Sequence, residues 1–199
     1  MATETLIPLE SNPDVMNKFL QKLGVPSQWS IVDVMGLEPE MLSWVPRPVL
    51  SVMLLFPITD AYEEHKQKEE SDILSKGQEV SNNIFYMKKF LDEAKDMDAP
   101  ARGKLLEKSD GIIQAHKELA QEGQTNTPSA EDPVNHHFIT FVHKDGFLYE
   151  LDGRKAFPIN HGPTTPDSLL EDSAKICKAF MARDPNEVRF TVIALAASD

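Results

Sequence analysis

The chain has 199 residues, 41% hydrophobic and 26% charged, a globular balance long enough to bury a core without disulfides or metals. Its formal net charge of −12 argues against nucleic acid, whose binding needs Lys and Arg to neutralise phosphates, and favours a basic partner through steering. The single cysteine, Cys177, excludes an internal disulfide and a paired-cysteine metal knuckle.

The first residues, "MATETLIPLESNPD", lack a basic region followed by an apolar stretch, so no signal peptide is expected. "SNPDVMNKFLQKLG" reads as a helix marked at both ends. Cap-type residues and Pro13 precede it, Val15, Met16, Phe19, Leu20 and Leu23 share a face, and Gly24 stops it. "WSIVDV" (29–34) alternates like a strand, and "LEPEMLSWVP" is a short helix ended by Pro46. "VLSVMLLF" (49–56) reads as a buried central strand. The longest apolar run, residues 49–58, is about half of what a membrane span needs, so no membrane segment is expected. "DAYEEHKQKEESDILSKG" is charged on most sides and predicts a solvated connector.

Further on, "SNNIFYMKKFLDEAKD" (81–96) has a helical pattern, "DMDAP" introduces a second helix and "GIIQAHKELA" forms a third. "QEGQTNTPSAEDPVN" (121–135) is a long polar loop of the kind that carries function. "HHFITFVHKDGFLYELDGR" predicts a β-hairpin turning at Asp145-Gly146. "PDSLLEDSAKICKAFMARD" is a capped helix, and "VRFTVIAL" (188–195) closes the chain as a buried strand. Interleaved helices and strands with one antiparallel hairpin predict a single α+β domain over residues 1–199.

A two-residue turn at Asp145-Gly146 sets Lys144 opposite Phe147, His137 opposite Arg154 and Ile139 opposite Asp152. His137 and Asp152 are then diagonal neighbours on one face, the arrangement of a general base oriented by a carboxylate. His136 points to the other face; His143 and His161 have no better claim to chemistry, and His65 and His116 lie in charged helical surroundings that predict exposure. Cys177 sits mid-helix in "SAKICKAF", away from any helix N-terminus or glycine, and reads as a buried structural thiol.

At "LYELDGRKAFPINHG" (148–162) the sequence resembles the ubiquitin C-terminal hydrolases, papain-like cysteine peptidases. "PLESNPDVMNKFLQKLG", "VDVMGLEPEMLSWVPRPV", "MLLFPITDAYE", "AQEGQT", "HFI" and "EVRFTVIAL" follow in the family's order. With no signal peptide, membrane span or cysteine pair expected, the chain reads as cytoplasmic. The resemblance implies a central, mostly antiparallel sheet flanked by helices, a monomer, no cofactor or metal, and ubiquitin or a ubiquitin-like protein as partner. It assigns His137 as the catalytic histidine and Asp152 as the aspartate that orients it.

Three segments match regions that contact ubiquitin in similar proteins. They are Pro8, Leu9, Glu10, Ser11, Asn12 and Pro13; Ala120, Gln121, Glu122, Gly123, Gln124, Thr125, Asn126 and Thr127; and Glu187, Val188, Arg189 and Phe190. The polar loop matches a crossover that restricts the leaving group, and the acidic charge suits ubiquitin's arginine-rich tail.

The family mechanism also needs a glutamine just after "YMK", as oxyanion donor, and a nucleophilic cysteine followed by Gly-Thr. Here Tyr86, Met87 and Lys88 run at once into "KFLDEAKDM", which resembles a later family segment. The resemblance therefore implies an internal deletion after about residue 88 that removes the glutamine, the nucleophile and much of the catalytic helix. A chain so shortened is expected to be inactive as a thiol-dependent deubiquitinase: either a ubiquitin-binding protein without catalysis, or a truncated product of splicing or of the gene model.

Overall fold

The computed structural model describes residues 9–75, 93–122 and 135–198. Met87, Lys88, Lys89 and Phe90, where the deletion is expected, lie outside them, as do Pro8, Gly123, Gln124, Thr125, Asn126 and Thr127. The chain forms two compact units, one from residues 1–27 and 82–134, the other from 28–81 and 135–199.

In the first unit, α1 (Pro13–Lys22) begins where Asn12 accepts a hydrogen bond from the Asp14 amide at 2.9 Å, with Pro13 in the first turn. It ends before Gly24, whose φ of 84° is a left-handed conformation that costs a residue with a Cβ. Helix α4 (Ala99–Leu106) is capped by Asp98, which accepts from the Ala101 amide at 2.9 Å, and α5 (Asp110–Leu119) buries Ala115 and Leu119. α1 and α5 meet through the edge of Phe19 on His116 (5.9 Å between ring centres) and through the Lys18–Glu122 and Lys22–Glu118 ion pairs. His116 is thus half-buried rather than exposed, and burial lowers its pKa.

The second unit is a six-stranded sheet in the order β1-β6-β2-β3-β4-β5, every neighbouring pair antiparallel. The strands are β1 (Trp29–Asp33), β2 (Val49–Pro57), β3 (His136–Lys144), β4 (Phe147–Leu151), β5 (Ile159–Pro163) and β6 (Thr191–Ala197). Val52, Leu54 and Phe56 of β2 share a face with Ile139 and Phe141 of β3. Helix α6 (Leu169–Met181) covers that face with Leu170, Ala174, Cys177 and Phe180. Alternation at two residues in the strands and at three and four in the helix brings these side chains into one dry layer. Helix α2 (Pro39–Leu42) adds Leu42 to the same core.

Two expectations about the elements are corrected, and one strand is added. Residues 60–75 are a helix, α3 (Asp60–Ser75), and not a solvated connector. Glu, Lys and Gln favour helix, and Thr59 Oγ1 accepts from the Tyr62 amide at its start. Residues 159–163 form a strand that alternation alone did not single out. The last strand begins at Thr191, because Glu187 to Phe190 are drawn into a local turn by Glu187 N–H to Asp184 O and Phe190 N–H to Val188 O bonds.

Candidate active site

The β3–β4 hairpin turns on Asp145 (φ 51°) and Gly146 (φ 85°), two left-handed residues in sequence, the requirement of a type I′ turn. Lys144 pairs with Phe147, Phe141 with Glu150 and Thr140 with Leu151, the register that the two-residue turn predicts. His137 lies opposite Phe56 on β2, at the end of the core face, with the Phe56 ring edge-on at 5.8 Å. Asp152 follows the last residue of β4.

His137 Nε2 and Asp152 Oδ1 are 2.6 Å apart. The same Oδ1 accepts from the Arg154 amide at 2.8 Å, and Oδ2 accepts from the Tyr62 hydroxyl at 2.7 Å. The Asp152 side chain is wholly covered. Burial alone would raise its carboxyl pKa; the hydrogen bonds from His137, Tyr62 and Arg154 outweigh that and pull it down to about 2. Tyr62 is itself buried, and burial together with the Asp152 carboxylate pushes its phenol well above the ordinary range. With Nε2 committed to the carboxylate, Nδ1 is the ring nitrogen left to accept or donate a proton.

Helix α3 holds the chain that follows Asp152. Glu63 pairs with Arg154, Glu69 Oε2 lies 2.6 Å from Lys155 Nζ, and Glu70 accepts from the Ala156 amide at 2.9 Å. Three carboxylates of the charge run that reads as solvated are thus spent on this loop.

A second cluster went unnoticed in the sequence. Glu150, fully buried, faces Lys155 Nζ at 2.5 Å and His161 Nε2 at 2.8 Å. Burial would push its carboxyl up, but the His161 hydrogen bond and the Lys155 charge hold it below the usual range. The hairpin register offered a signal, since Glu150 pairs with inward-facing Phe141. His161 also lines an open pocket of about 520 Å³ together with His65, Glu69 and Ile159. His65 is therefore not a solvent-exposed residue: its Nδ1 is buried, and burial, with Arg183 nearby, lowers its pKa. His136 is exposed, and pairs with Pro57.

Cys177 is fully buried in α6, and burial, with the Glu150 carboxylate, pushes its thiol up to about 12. Among the described residues no group of three or more His, Cys, Asp or Glu is placed to hold a metal ion, and no helix is long and apolar enough to cross a membrane.

The segments expected to meet a partner fall in both units. In the first, Leu9, Glu10 and Ser11 are half-buried, Asn12 caps α1 and Pro13 opens it, Ala120 is buried, and Gln121 and Glu122 are exposed. In the second, Val188 is 83% exposed, while Glu187 accepts from the Val188 and Arg189 amides and from the Arg189 guanidinium. Glu187 and Phe190 line a cavity of about 20 Å³ with Tyr62, Phe56 and Arg183.

A family model described as "Ubiquitin carboxyl-terminal hydrolase, family 1" matches residues 6–94 and 86–182. The chain is 44% identical to a ubiquitin carboxyl-terminal hydrolase of Drosophila melanogaster over 224 aligned positions, covering 98% of each chain. It is 41% identical to ubiquitin carboxyl-terminal hydrolase isozyme L1 of Homo sapiens over 222 positions, covering 96% of this chain and 97% of the relative. Both alignments have more positions than the 199 residues of this chain. Among solved structures, the Trichinella spiralis UCH37 catalytic domain bound to ubiquitin vinyl methyl ester shares the fold. Its TM-score is 0.72 at 18% identity, covering 99% of this chain and 98% of that one.

Proposed function

Because the chain belongs to the ubiquitin carboxyl-terminal hydrolase family, we propose that it retains the family's His–Asp pair and its affinity for ubiquitin, and that it does not hydrolyse ubiquitin adducts. In this reading residues 1–199 are one hydrolase domain with an internal gap after about residue 88, acting as a monomer in the cytoplasm.

The observation that carries the loss of hydrolysis is the place of Cys177. It is the chain's one sulfhydryl, buried mid-helix with its thiol pushed up to about 12, so the thiolate a cysteine peptidase needs is not formed near neutral pH. His137 and Asp152 can then take, hold and return a proton, but they have no nucleophile of the family's kind to take it from. Loss of a nucleophile and of an oxyanion donor each costs several kcal/mol in the transition state, and the two losses do not add.

Ubiquitin as partner is supported by the family and by the ubiquitin-bound Trichinella spiralis structures of the same fold. The exposed Val188 beside the clamped Glu187 and Arg189 gives the contact segment at residues 187–190 an apolar point held in a fixed turn.

A second reading, a shortened product of a gene that also encodes a complete hydrolase, is favoured by two observations. The family match falls in two pieces overlapping at residues 86–94, around Met87 to Phe90, and each relative aligns over more positions than this chain possesses. Sequencing the transcripts of the locus tests it: a longer form carrying a glutamine and Cys-Gly-Thr after Tyr86, Met87 and Lys88 is the expected result. For the protein itself, a fluorogenic ubiquitin-amide assay is expected to stay at the buffer rate while calorimetric titration with ubiquitin gives saturable binding. Turnover near that of an intact family member overturns the first expectation, and absence of binding the second.

A further inference from the structure

We propose that Tyr62 is a positioning residue for the His137–Asp152 pair, holding the carboxylate from the side opposite the imidazole. The inference rests on reading those two residues as the family's retained pair.

Asp152 accepts three hydrogen bonds, two on Oδ1 and one on Oδ2. The Oδ1 bonds come from its own hairpin, through His137 and the Arg154 amide. Both meet the same oxygen, so within the hairpin nothing holds Oδ2 against tilting about the last torsion, a broad, soft coordinate for aspartate. The Oδ2 bond comes from outside the hairpin: the Tyr62 hydroxyl at 2.7 Å, on the first turn of α3. That donor holds the carboxyl plane by its second oxygen, and so keeps Oδ1 on the His137 Nε2 that it faces.

Tyr62 is itself over-determined. Its ring packs on Phe56 at 5.0 Å and lies 6.1 Å from the His137 ring, and its amide bonds Thr59 Oγ1 at 3.3 Å. It is 3% exposed. The next residue, Glu63, pairs with Arg154, and Glu69 and Glu70, about two turns on, tie the same helix to the loop after Asp152. The phenol therefore reaches the carboxylate from a rigid support, as a group that positions another must. A purely apolar role in the core would be met by phenylalanine; the hydroxyl is what touches the acid.

The test is an NMR titration of the full chain, following the Asp152 side-chain carbon and the His137 ring nitrogens in the unmodified protein and in Tyr62→Phe. Removing the hydroxyl keeps the ring and its packing. In Tyr62→Phe, Asp152 is expected to protonate about one pH unit higher, the value of one charge-assisted hydrogen bond, and the His137 Nε2 signal to shift as the acceptor it faces turns. A Tyr62→Phe protein with a lowered melting temperature but unmoved Asp152 and His137 signals overturns the proposal, because a structural role alone gives that result. Asp152→Asn tests the bond from the other end: the Tyr62 phenol is expected to ionise at lower pH than in the unmodified chain, and an unmoved phenol counts against the bond. If Asp152 titrates as an ordinary carboxylate in the unmodified protein, the reading of the pair itself fails. If it titrates low there and stays low in Tyr62→Phe, only the role of Tyr62 fails.

Discussion

His137 and Asp152 stand fifteen residues apart in the chain and 2.6 Å apart in space, joined across a hairpin whose register is set by two left-handed residues at its turn. The pairing is thus a consequence of local backbone chemistry, Asp145-Gly146, more than of the remote core.

The acid of that pair makes stability depend on pH. Its carboxyl pKa is about 2 in the folded protein against an ordinary 3.8, so the folded state holds the charged form more tightly than the unfolded chain does. That contribution is complete above about pH 4 and is lost as pH falls through about 2, and it amounts to roughly 2 kcal/mol. Urea unfolding between pH 5 and pH 2 is expected to lose that amount from this group, and Asp152→Asn to remove that share of the slope.

Cys177 is expected to be silent. With its thiol pushed up to about 12 and its side chain fully buried, a disulfide reagent at pH 8 should label it only at the rate of unfolding. Cys177→Ala is expected to bind ubiquitin as the unmodified chain does. It should lose about 1 kcal/mol of stability, the order expected for removing one small buried group.

The Glu150–Lys155 pair is a stability element whose members are not independent. Lys155→Met strands a fully buried carboxylate beside His161 and is expected to cost about 3–5 kcal/mol. Adding Glu150→Gln to Lys155→Met removes the stranded charge and should recover a large part of the loss. A double-mutant cycle by thermal unfolding measures the coupling, and simple additivity would sink this account.

Val188 is the most exposed large apolar residue in the described structure. Val188→Asp should leave the melting temperature within the range of an ordinary surface substitution. It should also weaken ubiquitin binding about tenfold, roughly 1.4 kcal/mol, as calorimetry would record.

The parts of the fold written in short-range chemistry were legible in the sequence. Asn12, Pro13 and Gly24 bound the first helix, Asp145-Gly146 set the hairpin register, and Cys177 reads as a buried thiol within α6. What escaped depends on partners far away in sequence. Glu63, Glu69 and Glu70 look like a solvated face because the partners that fix them to the fold, Arg154, Lys155 and Ala156, are far away in sequence. His161 carries no local sign of its place, because its acid, Glu150, sits in a strand where a carboxylate is expected to face water. The β-forming residues Val188, Arg189 and Phe190 were drawn into the last strand, though a carboxylate one residue earlier bends them into a turn.

The grip of α3 on the chain after Asp152 limits how this protein can vary in length. Tyr62, Glu63, Glu69 and Glu70 meet Asp152, Arg154, Lys155 and Ala156 from one helix. Each residue of helix turns by about 100°, so a single insertion between Glu63 and Glu69 swings the last two carboxylates off the loop while the first two contacts stay. Evolution is free to exchange the solvent-facing residues of this segment, but it cannot add or remove one without unfastening the far end of the loop that carries the acid.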